Sequence, residues 1–410
     1  MVRYRATCAP NRYSLTPNGK YRLERMARGL SDVKLKRRMP ATTKLELDAM
    51  TTHTMMTRRA LLFASILIAC TLNVSEATRA QDTKVRPAPH MPAPKFVKTN
   101  GIRMAVYEQG EGVPVVLCHG FPELAFSWRH QVKALSEANF RVIAPDQRGY
   151  GLSDRPDDVK SYDLKHLCDD LAGMLDALGI EKAVFCGHDW GGGVVWAMAR
   201  IHPSRCLGVI GVNTPCSRPA GLALKKPPEP PLVVMSPNYY VMQFQEPGRA
   251  EAVLEKDVRK TFKMILSRGD IWNVERFKAL PKDSPERQLN LLAMLERDNF
   301  PGQAFLPDDV IDYFVETFEI TGFSGGLNWY RNIAGAGAAM AGAKREIDVP
   351  CLYIGAEHDV ILRPSSADGM EDFIHDFERH TVKDCGHWTQ QEKPEEFNRL
   401  VIDWLKRKFR

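Results

Sequence analysis

The sequence predicts an α/β fold: a mostly parallel central sheet flanked by helices and interrupted once by a helical insertion. Three observations carry that prediction. From Phe96 onward, short apolar runs alternate with segments of helical periodicity. Most of the apolar runs are continuous, as strands covered on both faces require. The alternation stops near Thr214 and resumes at Val349, with a long, mainly helical stretch between. Strands alternating with helices build parallel sheets through crossover connections.

The start of the chain stands apart. The 410 residues are 44% hydrophobic and 26% charged, ordinary values for a globular protein. The net charge of +6 is unevenly spread: residues 1–49 hold 12 Lys/Arg against 4 Asp/Glu, a surplus of 8 that leaves −2 for the rest. The near-neutral remainder argues against nucleic-acid binding, and the basic stretch lacks the interleaved aromatics of a nucleic-acid arm. Next come Met56-Thr57-Arg58-Arg59 and thirteen almost wholly apolar residues, 60–72. That run is too short to span a bilayer but fits a signal-peptide core, with cleavage after Ala77 or Ala80. Residues 57–62 also match a twin-arginine pattern, and Leu67-Ile68-Ala69-Cys70 matches a lipoprotein box that would lipidate Cys70. The expectation is export without an integral membrane domain. The alternative is a cytoplasmic protein with an upstream extension, for which Met50, Met55 and Met56 offer later starts. Proline-rich 81–94 reads as a linker, so 1–94 forms an extension. The nine cysteines show no metal-ligand spacing; Cys118, Cys186 and Cys351 sit in apolar runs and read as buried free thiols.

In the body, strands are predicted at 103–107, 113–118, 140–144, 183–186, 207–212, 351–355 and 379–382, and helices at 126–138, 164–178, 192–201 and 394–408. In 164–178, Leu164, Leu167, Leu171, Leu175 and Leu178 recur every three or four residues and make one apolar stripe. The insertion begins proline-rich at Pro215 and reads helical at 250–267, 286–297 and 308–317. The predicted organisation is a core in two parts, 95–214 and 344–410, with a helical cap, 215–343, between them. Ligands of parallel sheets bind beyond the carboxyl ends of the strands, which is where such a lid would lie.

The chemistry concentrates in Gly187-His188-Asp189-Trp190-Gly191, between a strand and a helix. Strand, Gly-x-nucleophile-x-Gly, helix is the nucleophile elbow of the α/β-hydrolase fold. Most such elbows carry serine; aspartate shifts the expected chemistry from acyl transfer to attack on an electrophilic carbon. An Asp that merely caps the next helix is the plainer alternative, but the glycine bracket favours a nucleophile. His387, in Asp384-Cys385-Gly386-His387-Trp388 after the last strand, is the expected base. Asp359 lies just past the end of strand 351–355 and would orient and stabilise the His387 imidazolium; Glu357 is its competitor. The chain order nucleophile, acid, histidine is that of α/β hydrolases. His119-Gly120-Phe121-Pro122 follows strand 113–118. The amides of Phe121 and Trp190 are expected to form an oxyanion hole, with His119 holding the loop.

Together, His119-Gly120-Phe121-Pro122-Glu123, Asp146-Gln147-Arg148-Gly149-Tyr150-Gly151, Gly187-His188-Asp189-Trp190-Gly191-Gly192 and Cys385-Gly386-His387-Trp388 resemble the soluble epoxide hydrolases. The lid adds Phe244-Gln245-Glu246-Pro247-Gly248 and Leu327-Asn328-Trp329-Tyr330-Arg331-Asn332. The likeness runs from about Phe96 to the C-terminus. It implies an ester formed on Asp189 by opening of an apolar epoxide, water activated by His387 and Asp359, and no metal or organic cofactor. It also implies that Tyr240 and Tyr330 donate to the epoxide oxygen, with Tyr239 adjacent to the first. A phenol with a pKa near ~10 stays protonated at neutral pH and can donate as the ring opens. Tyr239, Met242, Met264 and Trp388 are expected to line the substrate pocket.

Two rivals remain at this level. A haloalkane or haloacetate dehalogenase shares the Asp–His–Asp machinery, but a halide leaves without a proton and calls for N–H donors rather than a phenol pair. A hydrolase-like binding protein would not need every catalytic position filled. Gly335-Ala336-Gly337 does not follow a strand, which discounts a dinucleotide site.

Overall fold

Eight strands form one sheet in the computed structural model, which describes residues 85–410 apart from 226–227, 269–272 and 299–301. The export signal expected at 56–80, with the Cys70 box, lies outside the described residues. The sheet strands are β1 (Lys95–Thr99), β2 (Ile102–Gln109), β3 (Val113–Cys118), β4 (Phe140–Pro145), β5 (Ala183–His188) and β6 (Cys206–Val212). After the two-residue cap strands β7 (Ser267–Arg268) and β8 (Gln303–Ala304), the sheet is completed by β9 (Cys351–Ala356) and β10 (Phe377–Val382). The order is β1-β2-β4-β3-β5-β6-β9-β10. β2 pairs antiparallel with both β1 and β4, and every other neighbouring pair is parallel. All residues of β5 and β9 are buried, which accounts for their continuous apolar runs.

The unanticipated strand is β1, where Lys95 and Lys98 break the apolar pattern on an exposed edge. It joins β2 through Asn100-Gly101, both at positive φ, the two-residue turn that matches strand twist. Three helices cover the first half of the core: α1 (Arg129–Glu137), α2 (Leu164–Ala177) and α3 (Trp190–Ile201). Asp163 caps α2 by accepting from the His166 amide at 2.8 Å.

The insertion between β6 and β9 is helical, as expected, but differently divided. It contains α4 (Tyr240–Gln243), α5 (Arg249–Leu254), α6 (Val258–Ile265), α7 (Val274–Ala279), α8 (Leu291–Leu295), α9 (Asp308–Thr321), α10 (Ser324–Arg331) and α11 (Ala336–Ala339). The single helix expected over 250–267 is two, because the Asp257 carboxylate accepts from the Lys260 amide at 2.8 Å and starts a new one. The helix expected over 286–297 contracts to α8, which Asn290 caps through the Ala293 amide at 3.1 Å. Phe262, Phe314, Phe318 and Phe323 form the cap's aromatic core, with Phe262–Phe318 and Phe318–Phe323 centroids 5.0 and 4.7 Å apart. The chain ends with α12 (Thr389–Glu392) and α13 (Pro394–Phe409). In α13 Glu395 and Glu396 fall in the first turn and Lys406, Arg407 and Lys408 in the last, matching the helix dipole.

The expected linker over 81–94 is corrected in its described part. Val85 and Ala88 are buried, and the Ala88 amide donates to the Tyr107 hydroxyl of β2 at 3.3 Å. Arg86 reaches the cap instead: its guanidinium pairs with Glu316 at 2.6 Å and lies over the Tyr313 ring of α9. This strap therefore touches both core and cap. No helix of the described residues is long and apolar enough to cross a membrane.

Candidate active site

The sheet reverses direction of growth between β3 and β5: β4 adds on one side, β6 and β9 on the other. A crevice opens at such a switch point beyond the strand ends. Cys118 of β3 stands in register with Gly187 of β5, so the turn after β3 meets the elbow after β5. Asp189 takes φ 51° and ψ −121°, a conformation rare for a residue with a side chain and one that structures keep only when overdetermined. The glycine bracket supplies the room. A Cβ on Gly187 would stand 2.2 Å from the Gly191 carbonyl oxygen, and one on Gly191 would stand 2.1 Å from that of Cys118.

Asp189, His387 and Asp359 converge. The Phe121 amide donates to Asp189 Oδ1 at 2.9 Å. His387 Nε2 lies 3.7 Å from Asp189 Oδ2, beyond direct hydrogen-bond range. On its other side, His387 Nδ1 meets Asp359 Oδ2 at 2.7 Å. Asp359 is fully engaged: Oδ2 also accepts from Asn213 Nδ2, and Oδ1 accepts from the Ile361 and Leu362 amides. Burial alone would raise the Asp359 carboxyl, but the His387 charge and these hydrogen bonds hold it at about 2. Burial would lower the His387 imidazole; Asp359, and after it Asp189, instead raise it to about 9. The ring is therefore an imidazolium at neutral pH, beside a charged Asp359. Glu357, the competitor for Asp359, points outward to Lys383.

Trp190 opens α3, so its amide belongs to the first-turn N–H groups that a helix leaves without an internal acceptor. His119 is a structural residue: Nδ1 meets the Gly120 carbonyl at 2.9 Å, and Nε2 accepts from the Gln147 amide at 3.1 Å. Burial drops its pKa to about 4, which keeps it neutral. The Phe121–Pro122 peptide is cis.

The cap brings Tyr240 and Tyr330 over this group, with ring centroids 5.8 Å apart. Burial, reinforced by Asp189, pushes the Tyr330 phenol well above its ordinary range, and Tyr240 is pushed up likewise. Both stay protonated. Asp189, Phe121, Tyr240, Tyr330 and His387 all face one cavity of about 300 Å³. Met264 and Trp388 line it, as do Ile265, Leu291, Val360 and Ile361, with Arg268, Asn273 and Glu392 also on its wall. Two expected lining residues do not. Met242 is exposed on the outer side of α4. Tyr239 is buried but packs edge-on against Tyr240, 4.7 Å between centroids, so it buttresses the wall rather than forming it. Among the described residues no group of His, Cys, Asp and Glu is arranged to hold a metal ion.

Sequence reasoning missed a buried pair beneath the site. His188 Nδ1 meets Glu123 Oε2, and Nε2 meets the His387 carbonyl, each at 2.7 Å. Glu123 also accepts from the Gly120 amide and from the Gln390 and Gln391 side chains. The His188 charge helps hold its pKa at about 2 against the burial that would raise it. A carboxylate and a carbonyl are both acceptors, so each ring nitrogen of His188 faces an acceptor. It ties the oxyanion loop to the backbone of the base. The available signal was two polar residues flanking the elbow and the Phe121-Pro122 turn at positions the fold must bury.

The sheet, elbow and triad geometry define an α/β hydrolase with an aspartate at the nucleophile position. Residues 113–394 match the family model described as the alpha/beta hydrolase fold. The chain is 40% identical over 309 residues to bifunctional epoxide hydrolase 2 of Sus scrofa, covering 74% of this chain and 53% of that protein. It is 38% identical to epoxide hydrolase A of Mycobacterium tuberculosis, covering 77% of this chain and 97% of the relative. The crystal structure of epoxide hydrolase A from Mycobacterium thermoresistibile superposes with a TM-score of 0.62 at 34% identity, covering 77% of this chain and 98% of that one. The chain thus spans about half the length of the mammalian relatives and nearly all of the mycobacterial ones. It belongs to the epoxide hydrolase family of α/β hydrolases.

Proposed function

We propose that the protein hydrolyses apolar epoxides to vicinal diols through an ester on Asp189. The observation that carries this reading is the pairing of a carboxylate in the elbow with two protonated phenols across one cavity. A dehalogenase would have no use for the phenols, since a halide leaves unprotonated.

Asp189 Oδ1 is held by the Phe121 amide, which leaves Oδ2 to attack a ring carbon. The C–O bond breaks, and Tyr240 and Tyr330 donate to the alkoxide oxygen as it forms; such donation is worth about 10²–10⁴ in rate. Aligning oxygen and carbon for backside attack adds a large term of its own. Esterification neutralises Asp189 and so removes one of the charges that raise His387. The imidazolium then gives up its proton to the phenol oxygen that donated to the alkoxide, and the neutral ring can take one from water. The 3.7 Å between Nε2 and Oδ2 leaves the ring beside the ester rather than bonded to it. Hydroxide attacks the Asp189 carboxyl carbon, and the oxyanion develops on Oδ1 against the Phe121 and Trp190 amides, each donor worth roughly 10²–10³. Collapse expels the diol oxygen, which takes its proton from His387; the acid proton left on Asp189 then passes to His387, restoring carboxylate and imidazolium. The cavity wall is apolar along Met264, Ile265 and Leu291, which suits an apolar substituent on the ring.

One turnover with enzyme in excess in ¹⁸O-water tests the scheme. The first diol carries unlabelled oxygen from Asp189; full labelling at once would mean direct attack by water. Export, and with it clearance of reactive epoxides outside the cytoplasm, is part of the proposal and is supported by the 56–80 pattern. Mass spectrometry of the mature N-terminus checks it, and a chain retaining Met1 would overturn it.

A further inference from the structure

The helix that carries Tyr330 has two adjacent glycines, Gly325 and Gly326, in its first turn, an unpromising start for a helix. Both face the loop that follows β4. A Cβ on Gly325 would lie 2.1 Å from the Gly149 carbonyl oxygen and 2.8 Å from its carbon. One on Gly326 would lie 2.5 Å from the Tyr150 hydroxyl and 2.7 Å from a Phe121 ring carbon. One turn further, Trp329 Nε1 donates to the Arg148 carbonyl at 3.1 Å, and Asn332 Nδ2 donates to the Val159 carbonyl at 2.7 Å. The loop is itself immobilised. Arg148 Nε and Nη2 donate to the two oxygens of Asp170 at 2.7 and 2.6 Å, with both side chains at most 3% exposed. The Tyr150 hydroxyl is buried and has no hydrogen-bond partner, so it serves as packing surface.

We infer that the turn Gln147-Arg148-Gly149-Tyr150-Gly151 is the seat on which α10 rests, and that Gly325 and Gly326 are positioning residues setting the height of the Tyr330 phenol above Asp189. The inference rests on the ester mechanism proposed above. It separates the two half-reactions. Ring opening needs Tyr330, whereas ester hydrolysis needs His387, Asp359 and the oxyanion amides, which stand on core loops. The Gly149 backbone cannot yield to a new methyl group, so α10 must lift, and a misplacement of about 1 Å costs about 10² in rate.

Rapid-quench mass spectrometry of a single turnover with styrene oxide, following the ester on Asp189, tests this in the full chain. Gly325→Ala is expected to slow ester formation about 10- to 100-fold and to change ester hydrolysis by less than about 3-fold. In a Tyr330→Phe background the same substitution is expected to cost less than about 3-fold, because the group it displaces is already gone. Gly335→Ala, where nothing lies within 4 Å of the new methyl, leaves both steps unchanged. An equal loss with and without the Tyr330 hydroxyl, or an equal slowing of both steps, overturns the inference. Should Gly325→Ala not fold, Gly326→Ala serves, since it meets a hydroxyl and a ring edge that can shift. Its loss of ester formation should be partly restored by Tyr150→Phe, and no restoration counts against the seat. If the unaltered enzyme forms no ester at all, the epoxide reading falls and this inference with it.

Discussion

The core half and the cap half of the site are built in different ways. Asp189, Asp359, His387 and the Phe121 amide sit on short turns at strand ends, where local backbone chemistry dictates position. Tyr240 and Tyr330 sit on helices that own no part of the sheet and are placed by packing and by hydrogen bonds such as that of Trp329 to the Arg148 carbonyl. Tyr330 touches Phe121, Trp190, Tyr240 and Phe244, all with centroids within 5.8 Å. The core half handles charge, the cap half handles an uncharged proton donor, and each half governs one step of the proposed reaction. A strand-end motif therefore reveals the nucleophile and base on its own, while the acids Tyr240 and Tyr330 are named only through the resemblance of the lid segments and meet Asp189 only once the lid is folded.

The sharpest way to break this division is to disable the core half alone. His387→Gln is expected to leave ester formation largely intact while hydrolysis falls by on the order of 10³ or more; the intact protein then gains the mass of the substrate. Rapid turnover without accumulation would mean that the two steps are not divided as proposed. Disabling the cap half should give the opposite pattern. Tyr330→Phe is expected to lower kcat/KM by about 10²–10⁴ with no ester accumulating, and single-turnover mass spectrometry separates the two cases.

A smaller effect sharpens the charge argument. Asp189→Asn copies the neutral state that the ester creates. It removes a negative neighbour that favours protonated His387, so the imidazole pKa should fall from about 9. Histidine resonances followed by NMR through pH 6–10 check the direction; an unmoved titration would detach Asp189 from the base. The smallest expected change concerns the lining. Met264→Ala should alter KM for long apolar epoxides several-fold, and Met242→Ala should leave it within about 2-fold, because only the first faces the cavity. Equal effects would mean that the cavity wall is misassigned.

The sheet was legible because strands such as β3, β5, β6 and β9 are continuous apolar runs, and the elbow because Gly187 and Gly191 occupy positions where any Cβ collides. The cap was less so. Asp257 and Asn290 look like ordinary polar positions in a helix until their side chains are seen capping new ones. α10 was hidden because Gly325-Gly326 argues against a helix locally, and the reason for glycine there lies 176 residues upstream at Gly149. His188 and Glu123 escaped notice because a buried charge pair has no periodicity; only tertiary structure shows that each satisfies the other. Met242 and Tyr239 share a short helix start with Tyr240, and their direction depends on how that turn docks.

The ten residues ahead of β1 act as a mooring line. Ala88 is tied to Tyr107 in the sheet, and Arg86 to Glu316 and Tyr313 in the lid. A cut upstream of Val85 spares the tether, whereas a nick between Arg86 and Ala88 would part this one tie between lid and sheet and leave the catalytic carboxylate in place.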